Sequence, residues 1–292
     1  MPVNKLTSPR NQLIFSMLIF GSIGVVRRYI PFPSSVVALA RAVIGLVFLL
    51  LLRRLRHERV DRQAVRRNLG KLLLLGAMLA FNWIFLFEAY NYTSVAAATM
   101  CYYMAPVIVI LLSPLVFGEK ITLRKGLCAA VAVFGMVLVS DVLQGGLHGA
   151  KGLVFGLIAA CLYACIVIVN RKLSGISAED RTILQFAVSA VVMLPYVLLT
   201  ENVRALAFTP LVTVLLLLLG IVHTGFAYVL YFGNIPLVPA QTAALLSYLD
   251  PVVAVLLSVT VLREPMSLPA ALGAVLVLGA MIVSELEPGK RA

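Results

Sequence analysis

The stretch "YMAPVIVILLSPLVFGEKITL" (103–123) sets a proline, Pro106, at the head of a long apolar run and a glutamate, Glu119, near its end. The chain writes the same sentence again as "YLDPVVAVLLSVTVLREPMSL" (248–268). The shift that carries Tyr103 onto Tyr248 also carries Ala98 onto Ala243, Pro106 onto Pro251, Ser113 onto Ser258 and Glu119 onto Glu264. Upstream, Phe87 falls on Phe232. Apolar coincidences are common where the alphabet is small, but a tyrosine, a proline, a serine and a glutamate in register are not. The chain therefore reads as an internal duplication, 1–145 and 146–292, the two halves forming one membrane domain.

Composition sets the solvent. Hydrophobic residues make up 62% of the 292 and charged residues 12%, with a mean hydropathy of +1.04. A soluble domain carries about 25% charged residues. Apolar runs of about 20 residues, long enough to cross a bilayer, recur along the chain. They predict ten helices, at about 11–27, 34–53, 69–90, 94–117, 121–140, 151–171, 180–200, 208–232, 238–262 and 267–285. The first could be mistaken for a signal peptide, but no convincing cleavage site follows and "VVRRYIPFPSS" leads into the next span, so it reads as a retained helix.

The net charge of +12 is distributed by side of the membrane. With the N-terminus inside, eighteen lysines and arginines fall on cytoplasmic segments and five, Arg27, Arg28, Lys151, Arg204 and Arg263, on outer ones. That bias predicts a bacterial-type cytoplasmic (inner) membrane protein with both termini cytoplasmic. The dense run "RRLRHERVDRQAVRRNLGK" fits a loop touching anionic headgroups better than a nucleic-acid site. Cys101, Cys128, Cys161 and Cys165 all lie in apolar runs without companion ligands, so neither a metal nor a disulfide is expected.

Each half holds five helices, and an odd number inverts the second copy relative to the first. Inverted repeats with interrupted helices around a midplane site are a common build of secondary transporters. The prolines fit: each removes a backbone N–H and frees the carbonyl four residues back, which is tolerable at membrane depth only in protein or beside a cavity. Pro106 and Pro251 are thus expected kinks at the cavity wall.

These residues also carry a resemblance to the EamA-type branch of the drug/metabolite transporter superfamily. That family repeats an "A…P…lllS…l..gE.lt...G..li..Gv" passage, and here "AAATMCYYMAPVIVILLSPLVFGEKITLRKGLCAAVAVFGMVLVS" matches it closely. The second copy, "AALLSYLDPVVAVLLSVTVLREPMSLPAALGAVLVLGAMIVS", departs at Arg263, where the pattern has glycine. Arg41 in "ALARAVIGL" matches the family's early arginine. The resemblance implies ten helices in two repeats and the movement of amino acids, choline-like cations, nucleotide-linked sugars or other metabolites, often outward.

Charged groups inside membrane helices are expensive, and so are candidates for function. Arg41 would clamp a substrate carboxylate or serve as a structural pin, and Glu88 would pair with it or reach toward headgroups. Asp250, immediately before Pro251, would take up a proton, hold an ammonium group, pair with His223, or cap a freed carbonyl. Asn82, Trp83, Tyr103 and Tyr248 complete the candidate substrate site, from an inventory that also holds Tyr102, Tyr163, Asn170, Tyr228 and Tyr231. Tyr29, Tyr90 and Tyr92 read as an interface belt. Glu119 and Glu264 read as helix ends, with Thr122 and Ser267 capping the next helix in each copy.

No phosphate-binding loop, H-E-x-x-H or G-x-S-x-G occurs. The expectation is a secondary carrier, exporter or exchanger, of amino acids or similar zwitterions by alternating access. It needs no cofactor beyond a possible coupled proton; its partners are a small molecule and lipid, and it acts as a monomer or homodimer. A carrier of quaternary or hydrophobic cations is the alternative. A channel and an intramembrane enzyme using Asp250 and His223 stand further off, and the measurements separating them are saturable exchange and product formation.

Overall fold

The computed structural model describes residues 8–57, 60–118, 121–139 and 150–286. Glu119, the junction at 145–146 and both termini lie outside the described residues. Among the described residues there are helices and no strands: α1 (Pro9–Gly21), α2 (Ile23–Arg28), α3 (Ser34–Leu55), α4 (Arg62–Tyr92), α5 (Val95–Tyr102), α6 (Ala105–Phe117), α7 (Leu123–Val139), α8 (Ala150–Arg171), α9 (Ala178–Thr200), α10 (Pro210–Leu217), a π-helix (Leu218–Phe226), α11 (Ala227–Asn234), α12 (Ala240–Ser247), α13 (Leu249–Thr260) and α14 (Leu268–Glu285). Among the described residues, seven stretches are long and apolar enough to cross a membrane, from Ser34–Leu55 to Thr242–Thr260. The molecule is an all-helical, multi-pass membrane protein.

The helix starts are written in the sequence. Ser8, Asp61, Ser94, Ser177, Thr209 and Ser267 each accept a hydrogen bond from a backbone N–H in the following first turn. Those donors have no partner within the helix and would otherwise be unsatisfied. Thr122 does the same for Lys125, 3.3 Å away.

Four of the expected helices are interrupted. The first breaks at Ser22, between α1 and α2, and the eighth passes through the π-helix. The fourth breaks at Tyr103 and Met104, just before Pro106, and the ninth at Tyr248, just before Pro251. The two proline breaks follow from the missing N–H and ring clash. The other two carry no proline.

Among the described residues, ion pairs to Arg28 and Arg53 tie distant segments of the bundle. α3 separates Arg28, just before its start, from Arg53, in its last turn, by about 1.5 Å per residue. Arg28 pairs with Glu264 at 2.5 Å and Arg53 with Asp180 at 2.5 Å. Glu264 also accepts from Val95 N–H at 2.8 Å and from Ser258 Oγ at 2.5 Å, and Arg28 donates to the Tyr90 and Thr93 carbonyls. Glu264 thus joins α2, α5 and α13, more than a helix end alone would do.

α7 packs along α14, and their contact depends on two glycines. A Cβ on Gly135 would lie 2.7 Å from the Gly273 carbonyl oxygen, and one on Gly273 2.4 Å from that of Gly135. Small residues let membrane helices approach to backbone contact.

Candidate functional site

The four breaks converge on one another. Tyr103, at the break between α5 and α6, donates from its hydroxyl to Asp250 Oδ2 at 2.7 Å. The same hydroxyl lies 3.4 Å from the Ser247 carbonyl, four residues before Pro251 and therefore without a helical N–H partner. The shorter contact takes the hydroxyl's one proton, so Asp250 is its acceptor and the carbonyl that the proline leaves free lies alongside. This hydrogen bond ties the first interrupted helix pair to the second.

Asp250 lies in tyrosine-rich surroundings. Tyr90, Tyr102, Tyr103, Tyr163, Tyr228 and Tyr231 are all close enough to feel its charge. Tyr102 packs on Tyr163 at 5.2 Å and edge-on to Tyr103 at 6.2 Å. Tyr228 meets Phe20 at 5.5 Å and Phe186 at 5.3 Å. Tyr90 is 5% exposed, whereas Tyr92 is 40% and Tyr29 54% exposed. Tyr90 therefore departs from the expected interface belt: α4 turns it inward beside Phe87.

Arg41 brings a positive charge to this region. It is 4% exposed and within electrostatic reach of Asp250, Tyr90, Tyr102 and Tyr228. Its guanidinium carbon sits 4.2 Å from the Trp83 ring centroid and 5.7 Å from that of Phe87. A guanidinium over an aromatic face is attracted by the ring quadrupole. Its Nε donates to Thr224 Oγ1 at 2.7 Å. Trp83 is thus brought to the site through Arg41.

The remaining candidates are placed differently. Glu88 makes no ion pair with Arg41; it accepts from Ser34 Oγ at 2.6 Å and from Asn91 Nδ2 at 3.1 Å, in a network that Arg27 joins through Ser34 and Asn91. His223 does not meet Asp250. Its Nε2 lies 2.9 Å from Ser22 Oγ and its Nδ1 3.1 Å from the Leu218 carbonyl, so it joins the π-helix to the break between α1 and α2. Asn82 donates to the Ala159 carbonyl at 2.7 Å and accepts from Tyr102 at 3.5 Å, joining α4 to α8 beside the tyrosines. Tyr248 points to Met281 Sδ at 3.8 Å, into the packing of α14.

Neither Thr224 nor Ser22, which hold Arg41 and His223, stands out in the sequence. Small hydroxyl residues are frequent in membrane helices, and nothing in "GIVHTGF" marks a π-turn. On one side of the site, a recess of about 160 Å³ opens between α3, α9 and α11, lined by Leu49, Arg56, Thr182, Tyr228 and Phe232 among others. Tyr228 therefore borders both the recess and the charged cluster. Among the described residues, no group of His, Cys, Asp and Glu is arranged to hold a metal.

Residues 12–141 and again 150–285 match the EamA-like transporter family. An uncharacterized transporter of Bacillus subtilis (strain 168), YxxF, is 26% identical over 284 residues, covering 94% of this chain and 88% of its own. Protein PecM of Dickeya dadantii (strain 3937) is 29% identical over 221 residues, covering 74% of this chain and 73% of its own. A solved crystal structure is similar with a TM-score of 0.68 at 18% identity, over 95% of this chain and 97% of that one, a likeness of fold.

Proposed function

The chain belongs to the EamA-like transporter family, and from that premise we propose that it is a secondary carrier of small zwitterionic metabolites, foremost amino acids. Ten crossings in two inverted five-helix halves would let one central site open to each side of a bacterial cytoplasmic membrane in turn. The observation that carries the substrate reading is the presence of one cation and one anion, the buried Arg41 and the half-buried Asp250, in the same tyrosine-lined region. A guanidinium suits a carboxylate and a carboxylate suits an ammonium, so the two ends of an amino acid have complementary partners. Asp250, held by Tyr103 at the meeting of two broken helices, is the group that would exchange a proton with each cycle. The eighteen-to-five charge bias supports cytoplasmic termini.

A second reading rests on Arg41's engagement with Thr224 and Trp83. If that contact occupies it throughout the cycle, Asp250 and the tyrosine faces alone would meet the substrate, which would then be a quaternary or hydrophobic cation.

The test is radiolabelled uptake into proteoliposomes of an amino-acid pool and, separately, of choline-like cations, with and without an imposed pH gradient, for the wild type and Asp250→Asn. Saturable amino-acid flux whose pH-gradient dependence disappears in the variant is expected. Cation flux alone moves the assignment to the second reading, and no saturable flux of either sinks the carrier reading.

A further inference from the structure

The Arg41 guanidinium is held on two sides and left open on the third. Trp83 covers its face, and Thr224 takes its Nε edge at 2.7 Å. Among the described residues, no hydrogen-bond partner meets Nη1 or Nη2. This is the edge that can grip both oxygens of a carboxylate at once, in the region shared with Asp250, Tyr102 and Tyr228.

The hold on Nε depends on an unusual piece of backbone. Thr224 lies in the π-helix Leu218–Phe226, whose widened turn brings the carbonyl five residues back within side-chain reach. The Thr224 hydroxyl donates its one proton to the Leu219 carbonyl at 2.9 Å, so a lone pair is left to accept from Arg41 Nε–H. Donor and acceptor are thereby fixed: the hydroxyl cannot rotate to offer its proton elsewhere without losing Leu219. Thr224 is fully buried, and α3 makes room for it with a glycine. A Cβ on Gly45 would sit 2.7 Å from the Thr224 methyl carbon. One π-turn and one glycine thus dock a hydroxyl against the arginine carried by the neighbouring helix. Such turns recur at functional sites because they re-aim side chains at the cost of regular hydrogen bonding.

We propose that Thr224 is a positioning residue for substrate recognition: it fixes the Arg41 guanidinium so that the Nη1–Nη2 edge is presented to the substrate carboxylate. The inference rests on the zwitterion-carrier reading and adds a residue that determines specificity for the carboxylate end.

The experiment measures saturable flux in proteoliposomes of radiolabelled neutral L-amino acids, each against its own amide, which lacks the carboxylate. The proteins are the wild type, Thr224→Val, Thr224→Ser, Arg41→Lys and the Thr224→Val/Arg41→Lys double variant. Thr224→Val keeps the shape and removes the hydroxyl. It should raise KM for amino acids about tenfold with kcat changed less than about twofold, and leave the amides' kinetics unaltered. Thr224→Ser should restore KM to within about twofold of the wild type. In the double variant the two losses should fail to add, because the threonine acts through the arginine. If Thr224→Val does not elute as a folded protein, Thr224→Ala takes its place.

Equal KM increases for acids and amides, or for valine and serine, would overturn the positioning role while leaving the carrier reading intact. Wild type that carries no amino acid at all would remove the reading and this inference together.

Discussion

The two proline-marked breaks share a sequence but not a task. At the first, Ala105 precedes Pro106 and is 1% exposed; at the second, Asp250 precedes Pro251. Tyr103 turns across to the other break and donates to Asp250 at 2.7 Å, whereas its counterpart Tyr248 turns into α14 and reaches Met281 Sδ at 3.8 Å. The backbone device is duplicated, and the acid is present in one copy only. A repeat can supply two hinges because a missing N–H acts the same way in both copies. A single site for an ammonium group would need only one acid.

The largest expected effect comes from forcing the two breaks to match. Ala105→Asp would put a carboxyl into a cluster built mainly of apolar side chains, Met100, Cys101, Met104 and Val107 among them. Burial of an unpaired polar or charged group costs on the order of 3 kcal/mol or more, which corresponds to a fall of about 10 °C in melting temperature. Thermal unfolding followed in detergent reads it directly. A melt within about 2 °C of the wild type would mean that the first break opens to water as readily as the second, and the asymmetry between the breaks would not hold.

A smaller effect separates the two tyrosines. Tyr103→Phe removes the hydroxyl that joins the breaks, a bond to an acid contributing about 1.5–3 kcal/mol when intact. Transport should fall about tenfold or more. Tyr248→Phe should lower it less than about threefold, since sulfur is a weak acceptor. Initial rates at saturating substrate decide it. If Tyr248→Phe were the more damaging change, the functional side of the repeat would have to be reassigned.

How far the sequence reaches is visible in the same elements. The apolar runs and their serine, threonine and aspartate caps fix where helices start, and the repeated prolines announce two of the four breaks. The other two, at Ser22 and at Leu218–Phe226, carry no proline; tertiary packing sets them, through His223 on Ser22 and Thr224 on Arg41. Asp250 and Arg41 stand out because a charge in an apolar run is conspicuous. Their partners do not, because Tyr103 and Thr224 are ordinary residues made special by contacts across 147 and 183 positions. Tyr90 shows the same limit: its position near a helix end suggests an interface, and only the bundle turns it inward. Glu264 reads as a helix end until Arg28, 236 positions away, is brought to it.

The smallest effect tests the turn beside Glu264. Gly118 and Arg263 occupy equivalent places in the repeat, and both have left-handed backbone, with φ of 67° and 54°. Glycine adopts this conformation without steric penalty. An L-residue with a Cβ pays about 1 kcal/mol there, so Arg263 holds a strained turn where its counterpart does not. Arg263→Gly relieves that strain but gives the unfolded chain more freedom, which takes back part of the gain. The net should be a stabilisation of about 0.5 kcal/mol, or about 1–2 °C in detergent, while Gly118→Ala should lower stability by about 1 kcal/mol. If Arg263→Gly instead destabilises, the arginine side chain contributes more to the turn than its backbone costs. The second copy would then hold a contact where the first has Gly118, as it holds an acid where the first has Ala105.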